Sequence, residues 1–247
     1  MNPTLLNSFT FGIIKKIIKS GENMINKDEV FRYLGYSKDK KDLLTKNKLE
    51  QIVNEIEKEI KGKYTFKEYI IETNTKNKVT LKNSSIVLSG KDISKHLIDS
   101  KRIVILAVTL GIDAERYIIK KNYLSALDGL ISDACMSDLT EYYADECEKQ
   151  IKSTIKANEK TTFRYSPGYG DLPLNTQKNI IEELNTNRII GLNITDSYIL
   201  TPRKSVIAII GIEDINSKVK KNHRCGVDNC RECKLYSSCN FKKGCVI

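Results

Sequence analysis

From Arg102 to Gly111 the chain reads RIVILAVTLG, an apolar run with no charge after its first residue and a glycine to close it. A strand with one face in water alternates apolar and polar residues, whereas a run this continuous marks a central strand buried on both faces. Shorter β-like pieces fit around it. YTFKEYIIET (64–73), KVTL (78–81) and SSIVLSG (84–90) alternate and are joined by Asn/Lys turns, Lys160 to Arg164 is a further β-like run, and DSYILTP (196–202) and KSVIAIIGI (204–212) read as strands.

Helices separate these pieces. MINKDEVFRYLGY (24–36) has Asn26 or Asp28 near a helix cap, and residues 40–62 place Leu44, Ile52, Ile56 and Ile60 at helical spacing, with Gly62 as the stop. DISKHLIDS (92–100) reads as a short helix capped by Asp92, with His96 as a surface histidine rather than a ligand. The proline-free stretch from Ile112 to Ala157 is too long for one assumed helix, so two are expected, with a break near Lys121 and a stripe of Leu124, Leu127, Ile131 and Cys135. Asp138, Glu141 and Asp145 recur on one face of it, which on spacing alone is a solvated face. TQKNIIEELNT (176–186) is another helix. Without a regular βαβ repeat and with hairpin-like pairs at both ends, the order implies an α+β fold: a largely antiparallel twisted sheet, long helices and a small Cys-rich C-terminal tail.

The 247 residues suffice for one large domain or for a domain with an appendage, and the second is expected. Met1 and Met24 are both open as starts. On the second, residues 1–23 are an N-terminal extension, 24–216 the main domain and 217–247 the basic, Cys-rich tail. No apolar run approaches the roughly 18 residues of a membrane span, and FGIIKKIIKS (11–20) is too broken by lysines for a signal peptide, so a cytoplasmic location without membrane contact is expected. Forty-one basic against thirty-one acidic residues give +10. The lysines are scattered singly, apart from KVKKNHR (218–224), which favours a solubilising surface over a nucleic-acid partner.

RYSPGYGDLP (164–173) packs an arginine, two tyrosines, two glycines and two prolines into one connection. Arg164 offers a planar fork for a carboxylate or phosphate, Pro167 stiffens the chain, Gly168 lets main chain approach a ligand, and Tyr165 and Tyr169 supply flat surfaces with hydroxyl tips. These residues describe either a cradle for a zwitterionic or nucleoside-like molecule, or a proline-glycine turn whose tyrosines pack on the core.

This loop, followed by a helix and then ITDSYILTPRKSVIAIIGI (194–212), resembles the activation domain of cobalamin-dependent methionine synthase, whose S-adenosylmethionine loop has the pattern Arg-x-x-x-Gly-Tyr-Pro. DACMSDLTEYYADECEKQI (133–151) is similar to that domain's acidic helix, and FRYLGY (31–36) with VILAVTLG (104–111) to free-standing members of the family. The resemblance spans roughly Met24 to Asp214. It implies that Arg164 grips the methionyl carboxylate, that the backbone of Tyr165, Ser166, Pro167 and Gly168 lies along the ligand, that Tyr169 stands beside the reacting methyl and the corrin face, and that Glu141 is an acidic ligand residue. Asp138 and Asp145 keep the solvated-face reading. Gly170 departs from the family's usual proline and Leu172 from the full-length enzyme's cysteine, and the full-length enzyme's acidic N-terminal ligand residue has no match.

Five cysteines crowd the tail as C-x4-C-x2-C-x5-C-x5-C. Cys225, Cys230, Cys233 and Cys239, with Cys245 as a spare, can hold zinc or an iron-sulfur cluster; an unmetallated reduced tail is the other reading. The resemblance implies a reactivation component of methionine synthase: a chain that binds S-adenosylmethionine, meets a separate cobalamin-binding methionine synthase chain, and takes part in reductive remethylation of cob(II)alamin with a flavodoxin- or ferredoxin-type electron donor. The alternative is a non-catalytic, metal-stabilised binding module with a decayed S-adenosylmethionine site, contacting protein or nucleic acid.

Overall fold

Strand β4 (Ser100–Thr109) is the apolar run, and in a computed structural model of the chain it lies inside a six-stranded sheet. The structure describes residues 24–36 and 42–217. The sheet order is β3 (Val87–Ser89), β2 (Lys78–Leu81), β1 (Lys63–Thr75), β4, β8 (Ser205–Asp214) and β5 (Glu159–Thr161), and every pairing is antiparallel. A two-stranded hairpin, β6 (Asn193–Ile194) and β7 (Leu200–Thr201), stands apart.

The two faces of β4 and β8 belong to different cores. Val104, Leu106, Val108, Ala208, Ile210 and Ile212 share a cluster with side chains of α1 (Lys27–Tyr33), α2 (Leu43–Glu59), α4 (Ile112–Leu124) and α5 (Ala126–Thr154). Ile103, Ile105, Ala107, Ile207 and Ile209 face α3 (Lys91–His96), α6 (Thr176–Leu184) and α7 (Thr186–Ile190). Helices on both sides of the antiparallel sheet leave β4 and β8 no wet face, which is why their sequences do not alternate.

Several local expectations shift. Asn26 caps α1, but Leu44 is exposed and Leu49 fills the core of α2. That helix ends at Glu59 before Gly62, whose bare Cα instead admits the Tyr143 ring of α5: a Cβ there would lie 2.5 Å from the ring's Cγ and 2.7 Å from its Cε2. The helical break falls at Ser125, extended at φ −159°, because Lys121 is still inside α4 and pairs with Glu55 of α2 at 2.6 Å. Leu124 therefore leaves the expected stripe and is exposed, while Ile131 and Cys135 are buried. Asp138 is not solvated: it is buried and its Oδ2 accepts the Asn26 amide at 2.6 Å, tying α1 to α5. Only Leu200–Thr201 of DSYILTP is strand. Residues 1–23 and the tail from 218, with all five of its cysteines, lie outside the described residues.

Candidate functional site

Arg164 reaches its place through an irregularity at the sheet edge. Beyond β5, the Thr162 amide donates to Gly211 O (2.9 Å), and Gly211 N donates to the Thr162 hydroxyl (2.8 Å) where a carbonyl would normally accept. Pairing resumes at Tyr165 and Ile209, which exchange both backbone bonds (2.9 and 2.8 Å). Phe163 and Arg164 thus oppose Ile210 alone, a β-bulge. Thr162, Phe163 and Tyr165 all turn towards the α3 side of the sheet, and Arg164 turns to α5.

There the guanidinium meets three carboxylates one helical turn apart. Nη2 lies 3.0 Å from Glu141 Oε2 and 2.9 Å from Asp145 Oδ1, and Nε lies 3.8 Å from Glu148 Oε2. Glu148 is 4% exposed and also pairs with Lys152 at 2.8 Å, whereas Glu141 and Asp145 are about half exposed. Among the described residues three acids here face two cations, Arg164 and Lys152. Arg164 Nη1 is buried and has no hydrogen-bond partner among the described residues. Glu141 is therefore beside Arg164. Asp145, assigned to solvent by sequence, joins it, and Glu148 was missed although its i+7 spacing from Glu141 put it on the same face.

The loop that follows is folded on itself. Tyr169 N donates to Ser166 O (3.0 Å), Leu172 N to Tyr169 O (3.1 Å) and Gly168 N to Leu172 O (2.8 Å), while the Tyr165 hydroxyl donates to Tyr169 O (3.2 Å). The Asp171 carboxylate accepts the amides of Lys91 (2.6 Å) and Asp92 (3.0 Å), so α3 is capped across about eighty residues rather than by Asp92. Pro167 and Leu172 are buried, Ser166 is half-buried, and Gly168 is exposed. The ring of Tyr165 is in the core, with burial pushing its phenol up to about 12, and its backbone is committed to Ile209. Tyr169 stands edge-on to it at 5.4 Å and is 47% exposed.

His96 is also displaced from its expected position. It is buried at 3% exposure, its Nε2 lies 3.1 Å from Phe163 O and 3.0 Å from the Thr162 hydroxyl, and its ring packs on Phe163 (4.3 Å) and Tyr165 (5.1 Å). Among the described residues no group of three or more His, Cys, Asp or Glu side chains is placed to hold a metal, and no helix is long and apolar enough to cross a membrane. Cys135 and Cys147 are buried with their thiols pushed up by desolvation, Cys135 to about 12. Neither is a ready thiolate.

Comparison with known proteins bears on this geometry. Residues 102–233, just over half of the chain, match the family described as vitamin B12 dependent methionine synthase, activation domain. The solved structure described as "Crystal Structure of the MetH Reactivation Domain bound to AdoHcy" superposes with a TM-score of 0.62 at 14% identity, over 86% of this chain and 81% of that one. At that identity the likeness is one of fold. No curated protein sequence matches the chain significantly. The match embraces β4, the acidic face of α5, the Arg164 loop and β8, and by it the chain belongs to the activation-domain family of vitamin B12 dependent methionine synthase.

Proposed function

We propose that the chain binds S-adenosylmethionine against α5 and the Arg164 loop, and supplies it to the corrinoid of a methionine synthase carried on a separate chain. The observation behind this is the buried Arg164 Nη1 left over among three carboxylates, next in sequence to a loop that exposes Tyr169. A carboxylate-bearing ligand gives Nη1 an acceptor, and the half-exposed carboxylates of Glu141 and Asp145 beside it suit the ligand's ammonium and sulfonium. The reactivation domain of similar fold is described as bound to AdoHcy, the form the donor takes after losing its methyl group.

On this proposal one low-potential electron reduces cob(II)alamin, the corrinoid substrate takes the methyl group, and the pair of electrons in the broken S–CH3 bond stays on sulfur. The protein's residues position and do not exchange protons. Arg164 holds the methionyl carboxylate, Glu141 the ammonium, and Tyr169 shapes the contact with the corrin face, an effect of proximity and orientation. On the spacing of Cys225, Cys230, Cys233 and Cys239 the tail adds a zinc or iron-sulfur site.

Calorimetry with S-adenosylmethionine tests the site. Arg164→Ala should lose a charge-assisted contact of about 1.5 to 3 kcal/mol, roughly ten- to a hundredfold in affinity. Equal binding by wild type and variant removes Arg164 from the site, and no binding by either returns the chain to a non-catalytic module. Co-purification with a cobalamin-binding methionine synthase chain tests the partner.

A further inference from the structure

Arg164 faces α5 only because the edge strand slips by one residue. If alternation continued unbroken from Lys160 through Thr162, Arg164 would share the face of Thr162 and point among Leu97 and His96, into an apolar layer. The bulge prevents this, and within it the part-buried carbonyl of Phe163 has no backbone donor, which is costly unless a side chain supplies one. Two side-chain donors meet it: the Thr162 hydroxyl at 3.1 Å and His96 Nε2 at 3.1 Å. The same hydroxyl accepts Gly211 N. With the Thr162 hydroxyl proton given to Phe163 O, Nε2 faces only acceptors, the carbonyl and the hydroxyl oxygen at 3.0 Å; this places the imidazole proton on Nε2 and leaves Nδ1 a buried lone pair with no partner. One nitrogen is used, on the bulge, and the ring is clamped between Phe163 and Tyr165 on either side of Arg164.

We propose that His96 is a positioning residue for Arg164: by donating Nε2–H to Phe163 O it holds the bulge that turns the guanidinium onto α5. It touches no ligand, and the proposal rests on the S-adenosylmethionine reading only for its functional readout.

The test compares two polar replacements of different reach. His96→Gln places an amide N–H near the position of Nε2 and should keep S-adenosylmethionine affinity within about threefold. His96→Asn stops near Nδ1, leaves Phe163 O with the Thr162 hydroxyl as its one remaining donor, and should weaken binding by about tenfold. A merely structural histidine would make the two variants alike in affinity, which overturns the proposal. The Arg164 Nε–Hε resonance, recorded without ligand, separates this failure from failure of the functional reading: it should move in His96→Asn and hold in His96→Gln, whether or not the wild type binds S-adenosylmethionine. If His96→Asn does not fold, the imidazole nitrogen shifts of the wild type decide, since a proton found on Nδ1 rather than Nε2 overturns the assignment.

Discussion

Acidification should destabilise this protein through one imidazole. Burial holds His96 in its neutral form and lowers its pKa to about 4, against which the bond to Phe163 O is a smaller opposing effect. In the unfolded chain the same group titrates near 6.5. Between the two values the unfolded state binds the extra proton, so the contribution to stability is complete above about pH 6.5 and is lost as pH falls towards 4. The loss should reach about 2 kcal/mol by pH 5 and about 3 kcal/mol at the lower limit. Few other groups confuse this window. The chain has two histidines, and the other, His223, lies outside the described residues. The carboxyls of Asp42 and Glu159, each held below its usual value first by a backbone amide, act alike in both proteins of a comparison. Glu213, raised by burial, works in the opposite direction and in both proteins of a comparison. Urea unfolding of wild type and His96→Gln at a series of pH values from 7.5 to 4.5 therefore isolates the effect: the wild-type curve should fall relative to the variant's by about 2 kcal/mol by pH 5. Parallel curves would refute a buried neutral imidazole at this position.

Gly170 sits at φ +55°, and a Cβ there would press on the hydroxyl of the buried Tyr165 and lie 2.7 Å from Asp92 Oδ2; Gly170→Ala should cost about 2 kcal/mol in denaturant unfolding, and no change would mean that the loop turns otherwise. Glu141→Gln should weaken S-adenosylmethionine in calorimetry while the thermal midpoint barely moves, because a half-exposed carboxylate contributes little to stability; a large drop in the midpoint with intact binding would make it a structural residue. Protein purified without oxygen should carry metal on the tail cysteines, brown with charge-transfer absorption for an iron-sulfur cluster and colourless with stoichiometric zinc for a structural clip; metal-free protein refutes both.

What the sequence disclosed, and what it hid, divides by distance along the chain. The continuous apolar run predicted a doubly covered strand because burial on both faces acts on each residue of β4 separately. Asn26 was legible as a cap because its partners are two and three residues away. The acidic face of α5 was half legible: the period gave the row, but only Arg164, arriving from β5, decides that Asp145 and Glu148 belong to the site while Asp138 serves Asn26. The cap on α3 was invisible, since its carboxylate comes from Asp171. So was the role of His96, set in a short polar helix whose composition suggests a surface.

The loop departs from the family pattern with a physical consequence. A proline cannot adopt the positive φ of Gly170, so the turn made here does not admit the proline that the resemblance implies at that residue. Here Asp171 capping α3 and Tyr165 bonding Tyr169 O give the loop the rigidity that a ring would otherwise supply. The first of these anchors, and the His96 contact with Phe163, lead back to α3. Alternation along Thr162, Phe163, Arg164 and Tyr165 would place the arginine in the wrong layer, and nothing in those four residues announces the extra one. The face that Arg164 presents is decided from α3 and Gly211, by donors and acceptors that the fold alone brings to the sheet edge.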